Sequence, residues 1–238
     1  MIVLAIESAT ELVGVAVADD GGPRAAAWAT GRRRHGEALA PAIAAVLEQA
    51  EVTLADLGAV AVDVGPGLFT GLRVGVATAK GLAQGLGIGV VTVTSVDVLA
   101  RAAFDAGWPG EVVAVVDARR SEVFAARYVR GAHGAAVESS PAARYGPDEL
   151  AAALSARPAG GRLAVGDGAR RYAGVLAGVA GLTLAGGTLA GPPPAVLATL
   201  AVERLADGEP PGDAAAVVPR YLRDADARIN WVQRAAPA

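Results

Sequence analysis

The sequence predicts an α/β protein made of two similar lobes, and three observations lead to this prediction. An apolar strand, 59–64, passes through a glycine-proline-glycine turn directly into a helix, 69–86, a junction at which α/β folds place their sites. Strands and helices alternate along most of the chain. The apolar segments 2–7 and 112–117 align at an offset of 110 residues, and both end in a carboxylate, as an internal duplication requires.

The elements of the first half follow from apolar runs bounded by turn residues and from helical spacing of apolar residues. The predicted strands are 2–6, 12–18, 24–30, 59–64 and 90–94, and the predicted helices are 37–50, 69–86 and 96–104. Pro41 falls in the first turn of helix 37–50, where proline is tolerated. This half therefore begins as a meander of three strands and continues with alternating helices and strands.

The turn-rich stretch 106–110 predicts a boundary between two lobes, 1–107 and 108–238. The strands predicted beyond it are 112–116, 122–129, 135–138 and 163–165, and the helices are 147–154 and 195–206. No low-complexity linker separates the lobes, so we expect them to pack together. We also expect the last helix and the tail to pack back on the first lobe.

Composition narrows the range of functions. The 238 residues include no cysteine and two histidines, which argues against disulfides, thiolate catalysis and a histidine-rich metal site. The single lysine, Lys80, does not follow a glycine, so a Walker-type nucleotide site is excluded. The net charge of −3 gives no overall attraction to nucleic acid, although the arginine run 32–34 could contact an anionic partner. The opening residues contain no basic leader and no apolar run reaches about 20 residues, so we expect a cytoplasmic protein.

Polar residues that follow the first strand of each half are candidate ligand contacts. A position at the carboxyl end of a buried strand suits phosphate or a hydrated metal, while capping of the turn by serine and threonine is the alternative. The candidate nucleotide- or phosphate-contacting residues are Glu7, Ser8, Thr10, Asp117 and Arg119. Arg119 and its neighbour Arg120 could instead brace Glu122. Asp167, between two glycines, is either a nucleotide-contacting loop residue or part of a turn.

The chain resembles the TsaB (YeaZ) family of bacterial tRNA threonylcarbamoyladenosine biosynthesis proteins. The segments that carry the resemblance are 5–10, 35–41, 65–73, 117–123 and 219–223, and together they span nearly the whole chain. Glu7 stands where the family usually has aspartate, and Leu68 stands where serine is common. The resemblance implies the ASKHA fold, also called actin-like ATPase or ribonuclease H-like, with two duplicated mixed-sheet lobes.

The resemblance also implies a function. Members of the family are non-catalytic partners of TsaD, needed with TsaE to transfer the threonylcarbamoyl group from threonylcarbamoyl-AMP to the adenosine beside the tRNA anticodon. TsaD holds a metal through two histidines on one helix, whereas the two histidines here, His35 and His133, are far apart. This chain therefore resembles the partner rather than the enzyme, with no catalytic or metal-binding residue of its own. ATP or ADP with magnesium at the TsaD interface, a homodimer in isolation, and tRNA contact through the complex are implied as well.

In this family the first two long helices form the docking surface, which agrees with the aliphatic stripe of helix 37–50 and the glycine-rich face of helix 69–86. The predicted docking residues are Leu39, Ile43, Val46, Leu47, Gly71, Leu72, Gly75, Thr78, Ala79 and Leu82. The alternative is an ATP-dependent kinase or hydrolase in which Glu7 and Asp117 organise magnesium, although no glycine-rich phosphate turn follows Asp117. A peptidase using a serine and His35 is a poorer alternative, since no nucleophile motif surrounds any serine.

Overall fold

The computed structural model describes residues 1–31 and 35–222 and contains two five-stranded sheets. The strands are β1 (Ile2–Glu7), β2 (Leu12–Asp19), β3 (Gly22–Thr30), β4 (Leu57–Asp63), β5 (Gly89–Val93), β6 (Glu111–Arg119), β7 (Glu122–Arg130), β8 (Ala136–Tyr145), β9 (Arg162–Val165) and β10 (Leu182–Leu184). The α-helices are α1 (His35–Gln49), α2 (Phe69–Leu86), α3 (Ser95–Asp105), α4 (Pro147–Ser155), α5 (Asp167–Arg171), α6 (Ala173–Leu176) and α7 (Pro194–Ala206).

The two sheets share one topology. The first has the order β3-β2-β1-β4-β5 and the second the order β8-β7-β6-β9-β10, so each strand of the first has a counterpart in the second. In both, the first three strands are antiparallel and the two that follow run parallel to the first. The predicted α/β fold with two duplicated mixed-sheet lobes of the ASKHA type is therefore confirmed. The duplication places Asp117 of β6 at the position that Glu7 occupies in β1.

The first sheet is covered on both faces, which explains why β1 is apolar throughout. Leu4 and Ile6 lie in the core shared with α1 and α2, while Val3 and Ala5 lie in the core shared with α7. A strand buried on both faces has no position for a polar residue until it ends. The first carboxylate of β1, Glu7, accordingly stands at its last position.

Helices from each half of the chain contact the sheet of the other half. α3 packs against β6 of the second sheet, mainly through Leu99 and Phe104. α7 lies on the first sheet, with Leu197 in the core, and Gly212 then bridges to Val90 at the free edge of β5. The division at residue 107 stays a prediction, since helices on either side of it are shared between the two sheets.

Most predicted elements are present with small differences at their ends, and the exceptions are short or lie at an edge. β8 extends to Tyr145 rather than to 138, because an edge strand tolerates Pro141, whose missing N–H has no ladder partner to lose. The sequence did not predict α5, α6 or β10, which have 5, 4 and 3 residues and too little length to show a period. Among the described residues, no helix combines the length and apolar character needed to cross a membrane.

Candidate functional site

A cleft of about 760 Å³ lies where the carboxyl ends of the central strands of the two sheets face each other. Its first wall is formed by residues after β1, by β3 and by the start of α7, and its second by the ends of β6 and β9 and the loop before α7. The polar or charged lining residues are Thr10, Glu11, Thr30, Asp117, Arg119, Asp167, Arg170, Arg171 and Thr188. The apolar lining includes Leu12, Trp28, Pro193 and Pro194.

Two carboxyl groups outside the cleft lining, Glu7 and Asp63, are buried at the ends of the adjacent parallel strands β1 and β4. The Ala9 N–H donates to Glu7 Oε1 at 2.8 Å, and the Gly65 N–H and Ser95 hydroxyl donate to Asp63 Oδ1 at 2.6 and 2.8 Å. Glu7 Oε2 and Asp63 Oδ2 have no other partner within the described ranges, and a hydrogen bond between the two carboxyl groups forms when Glu7 is protonated. Burial, and then the neighbouring charge of Asp63, raise the pKa of Glu7 well above its usual value, and burial also raises the pKa of Asp63.

Part of the predicted ligand site is wrong, because the turn that follows β1 is buried. Glu7 and Ser8 have no exposed surface, and the Ser8 hydroxyl donates to the Gly71 carbonyl at 2.9 Å. Neither side chain can contact a ligand in the cleft as the protein is folded here. Thr10, Asp117 and Arg119 do line the cleft, and their predicted contact with a ligand stays a prediction.

The glycine turn after β4 explains why Glu7 is closed off. A β-carbon on Gly67 would lie 2.2 Å from the Ala9 carbonyl oxygen, so only glycine lets the two turns touch. The Leu68 N–H donates to the same carbonyl at 2.6 Å. This turn therefore packs against the turn after β1, and the backbone that looked suited to phosphate is used inside the protein.

Arg119 connects the two walls of the cleft. Its guanidinium donates to Glu11 of the first wall at 2.8 Å and to Asp117 of the second at 3.0 Å. Arg171 lies 3.4 Å from the same Asp117 carboxylate. The Asp117 N–H donates to Asp167 Oδ1 at 2.9 Å, and burial raises the pKa of Asp167 to about 6. The turn alternative for Asp167 thus fits its structure, because Asp167 begins α5 and ties it to β6.

Sequence reasoning missed several residues of the cleft. Trp28 is a single aromatic residue in an alanine-rich strand and belongs to no recognisable motif. Within the described residues, it is the only aromatic side chain that lines the cleft. Arg170 and Arg171 come three and four residues after the glycine-flanked Asp167, and that proximity in sequence was the available signal. Two features lie outside the described residues: the arginine run 32–34 and the side chain of His35. In the described residues, no group of three or more potential ligands could hold a metal ion.

The predicted docking residues require a correction. Those that the structure buries are Leu39, Ile43, Val46, Leu47, Gly71, Leu72, Gly75 and Ala79. They face the first sheet, and a β-carbon on Gly75 would lie 2.2 Å from the Ser8 hydroxyl oxygen. A partner cannot reach them, because an apolar stripe marks the buried side of a helix without saying what covers it. Thr78 and Leu82 are half-buried at the border of this inner face.

A second surface of small residues lies on the opposite side of the same helices. We call it the outer small-residue face, and it consists of Ala40, Ala44, Ala77, Gly81 and Gly85. All five are exposed, and nothing lies within 4 Å of a β-carbon built on Gly81 or Gly85. Another helix could approach this face closely, because no side chain larger than a methyl group projects from these five positions.

Comparison with known proteins gives matches to a family model, to curated relatives and to a solved structure. A family model described as TsaD, tRNA N6-adenosine threonylcarbamoyltransferase, matches residues 29–167. The tRNA threonylcarbamoyladenosine biosynthesis protein TsaB of Escherichia coli is 34% identical over 134 residues, 56% of this chain and 58% of that protein. TsaB of Bacillus subtilis is 30% identical over 128 residues, 54% of this chain and 55% of that protein. This chain thus spans little more than half the length of these curated relatives.

A solved structure matches over a larger part. YeaZ from Pseudomonas aeruginosa superposes with a TM-score of 0.80 at 28% sequence identity, covering 93% of this chain and 99% of that one. The similarity therefore extends over both sheets, beyond the region in which the curated relatives align.

Proposed function

Because this chain belongs to the family of TsaD-related tRNA N6-adenosine threonylcarbamoyltransferases, and within it to the TsaB/YeaZ group, we propose that it is the non-catalytic partner of TsaD. Together with TsaE it would support transfer of the threonylcarbamoyl group from threonylcarbamoyl-AMP to the adenosine beside the anticodon. Transfer itself would take place on TsaD, and tRNA would be contacted through the complex in the cytoplasm.

The observation that carries this proposal is the outer small-residue face. Helices approach one another at 8–10 Å only where the side chains between them are small enough to interdigitate, and this face offers alanine and glycine on two neighbouring helices. Two helices of TsaD packed on α1 and α2 would make a four-helix bundle. A second copy of this chain could use the same face, so a homodimer would compete with the heterodimer.

The buried carboxyl pair supports a non-catalytic role. An ASKHA-type enzyme would need the strand-end carboxylate of the first lobe to reach its ligand, and Glu7 is enclosed by the turn at Gly67. ATP or ADP with magnesium would accordingly bind at the interface with TsaD rather than at Glu7.

We expect Gly81→Arg to weaken binding to TsaD by at least about 100-fold, since a long charged side chain at a close helix contact must be desolvated or excluded. Calorimetric titration with TsaD measures the binding. Formation of modified tRNA by TsaD, TsaE, threonylcarbamoyl-AMP and each variant measures the consequence.

Gly174→Arg is the matched control, because Gly174 is also exposed on a helix with nothing near its β-carbon position but lies in the second lobe. It should bind TsaD as the parent does. Parent-like binding by Gly81→Arg would remove the basis of the proposed interface, and transfer by this chain without TsaD would show it to be an enzyme.

The alternative, an ATP-dependent kinase or hydrolase, is favoured by one observation, the cleft that contains Asp117. ATP turnover by the purified chain, abolished in Asp117→Ala, would support it. Our proposal expects no turnover from either protein.

A further inference from the structure

We propose that the cleft between the lobes binds a small aromatic anion, with a flat ring against Trp28 and a single anionic group at Arg170. A nucleoside monophosphate is a ligand of this class. The inference does not rest on a partnership with TsaD. The volume of about 760 Å³ falls within the roughly 300–1,000 Å³ typical of small-molecule sites.

Trp28 gives the cleft an open aromatic surface. Its side chain is 63% exposed, although an indole usually buries most of its area in a core or an interface. It pairs across the sheet with Gly14, where an added β-carbon would lie 2.8 Å from Trp28 Cβ and 2.9 Å from Pro194 Cγ. The glycine therefore leaves room for the tryptophan and the proline to lie side by side on one wall.

Arg170 provides an available cation on the opposite wall. Within residues 1–31 and 35–222 its guanidinium makes no hydrogen bond or ion pair, in contrast to Arg119 and Arg171, which are both held by Asp117. Guanidinium groups bind carboxylate and phosphate oxygens in pairs, and an unpaired one has its donors free for such a ligand. Thr188 adds a hydroxyl to the same cleft.

The hairpin turn between β6 and β7 holds the two walls of the cleft together. Arg119, Arg120 and Ser121 have φ values of 61°, 52° and 58°, so three consecutive residues other than glycine adopt the left-handed conformation. Arg120 and Ser121 form the two-residue hairpin loop between the paired residues Arg119 and Glu122, and positive φ at both central residues is the usual geometry of such a loop. The turn directs Arg119 across the cleft to Glu11, which fixes the separation of the walls.

The same residues disfavour a magnesium-bound triphosphate. Glu11, Asp117 and Asp167 place three carboxylates around Arg119, so additional phosphate groups there would meet like charges. The carboxyl that could accept a metal at the end of β1, Glu7, is enclosed. One anionic group at Arg170 avoids both conflicts.

AMP is the probe for the test, and calorimetry together with quenching of tryptophan fluorescence measures its binding. We expect Arg170→Gln and Trp28→Ala each to weaken AMP binding by about tenfold or more, because they remove a charge-assisted bond and a stacking surface respectively. Both side chains are exposed, so the variants should unfold at the parent temperature. Arg220→Gln and Tyr221→Ala replace exposed residues outside the cleft and should leave the affinity unchanged.

Fragments of AMP test whether the cleft needs both the ring and the anionic group of its ligand. Adenosine carries the ring alone and inorganic phosphate the anion alone, and each should bind at least about tenfold more weakly than AMP. Magnesium ATP should bind no more tightly than AMP. The proposal is overturned if AMP at millimolar concentration gives no signal, if neither cleft variant alters its affinity, or if magnesium ATP binds far more tightly.

Discussion

Glu7→Gln is expected to be about 1–3 kcal/mol more stable than the parent protein at pH 8, and its stability should vary less with pH. A glutamine keeps the oxygen that accepts from the Ala9 N–H and replaces Glu7 Oε2 with an NH₂ group that does not ionise. That group can donate to Asp63 at every pH, whereas Glu7 can donate to it only while it is protonated. Urea unfolding at pH 5 and pH 8 measures the effect.

The direction of the pH dependence follows from the raised pKa of Glu7. The folded protein holds the proton on this carboxyl to a higher pH than the unfolded chain, which releases it near pH 4.5. The contribution of Glu7 to the free energy of unfolding is therefore fully present below the pH at which the unfolded chain releases its proton. It is lost as the pH rises through the pKa of Glu7 in the folded protein. Asp63, whose pKa burial also raises, and Asp167 are the acidic groups that add to the effect on Glu7.

Glu48→Gln is the control, because Glu48 is exposed on α1 and its replacement should leave both stability and pH dependence unchanged. Equal pH slopes for the parent and Glu7→Gln would show that Glu7 ionises in the folded protein as it does in the unfolded chain.

The sequence was sufficient to predict the fold because its signals are local and strong. The strand ends at Glu7 and Asp117 are each preceded by uninterrupted apolar residues, and the offset between them predicted the duplication that the sheet order confirms. Helix 69–86 was predicted at its observed limits, since it begins after a glycine-proline-glycine turn and ends before Gly87, which has a φ of 67°.

The candidate site was less predictable, because periodicity identifies a face without identifying what covers it. The stripe containing Leu39 and Val46 is covered by the first sheet of the same chain, whereas a stripe with the same spacing could equally have met a partner. Glu7 has the sequence context of a ligand-contacting carboxylate, and only the contact between Gly67 and Ala9, distant in sequence, shows that it is enclosed. Trp28 and Arg170 lie 142 positions apart in sequence and line the same cleft only because of the arrangement of the two sheets.

Two glycines of α2 should respond to alanine in opposite directions. Gly75→Ala is expected to lower the free energy of unfolding by about 1–3 kcal/mol, because its methyl group would displace the Ser8 hydroxyl from a buried hydrogen bond with the Gly71 carbonyl. Gly81→Ala is expected to raise it by roughly 0.5–1 kcal/mol, since the position is exposed, unobstructed and inside a helix. Thermal and urea unfolding of the two variants measure the difference.

Both substitutions carry the same change in intrinsic helix propensity. Opposite changes in the free energy of unfolding would therefore distinguish an inner face that packs on β1 from an outer face that is open to a partner. Any difference between them must therefore come from their surroundings. Stabilisation by Gly75→Ala would mean that Ser8 does not hold the inner face closed. Destabilisation by Gly81→Ala would mean that the outer small-residue face is already covered by the chain itself, and a second protein could then not occupy it.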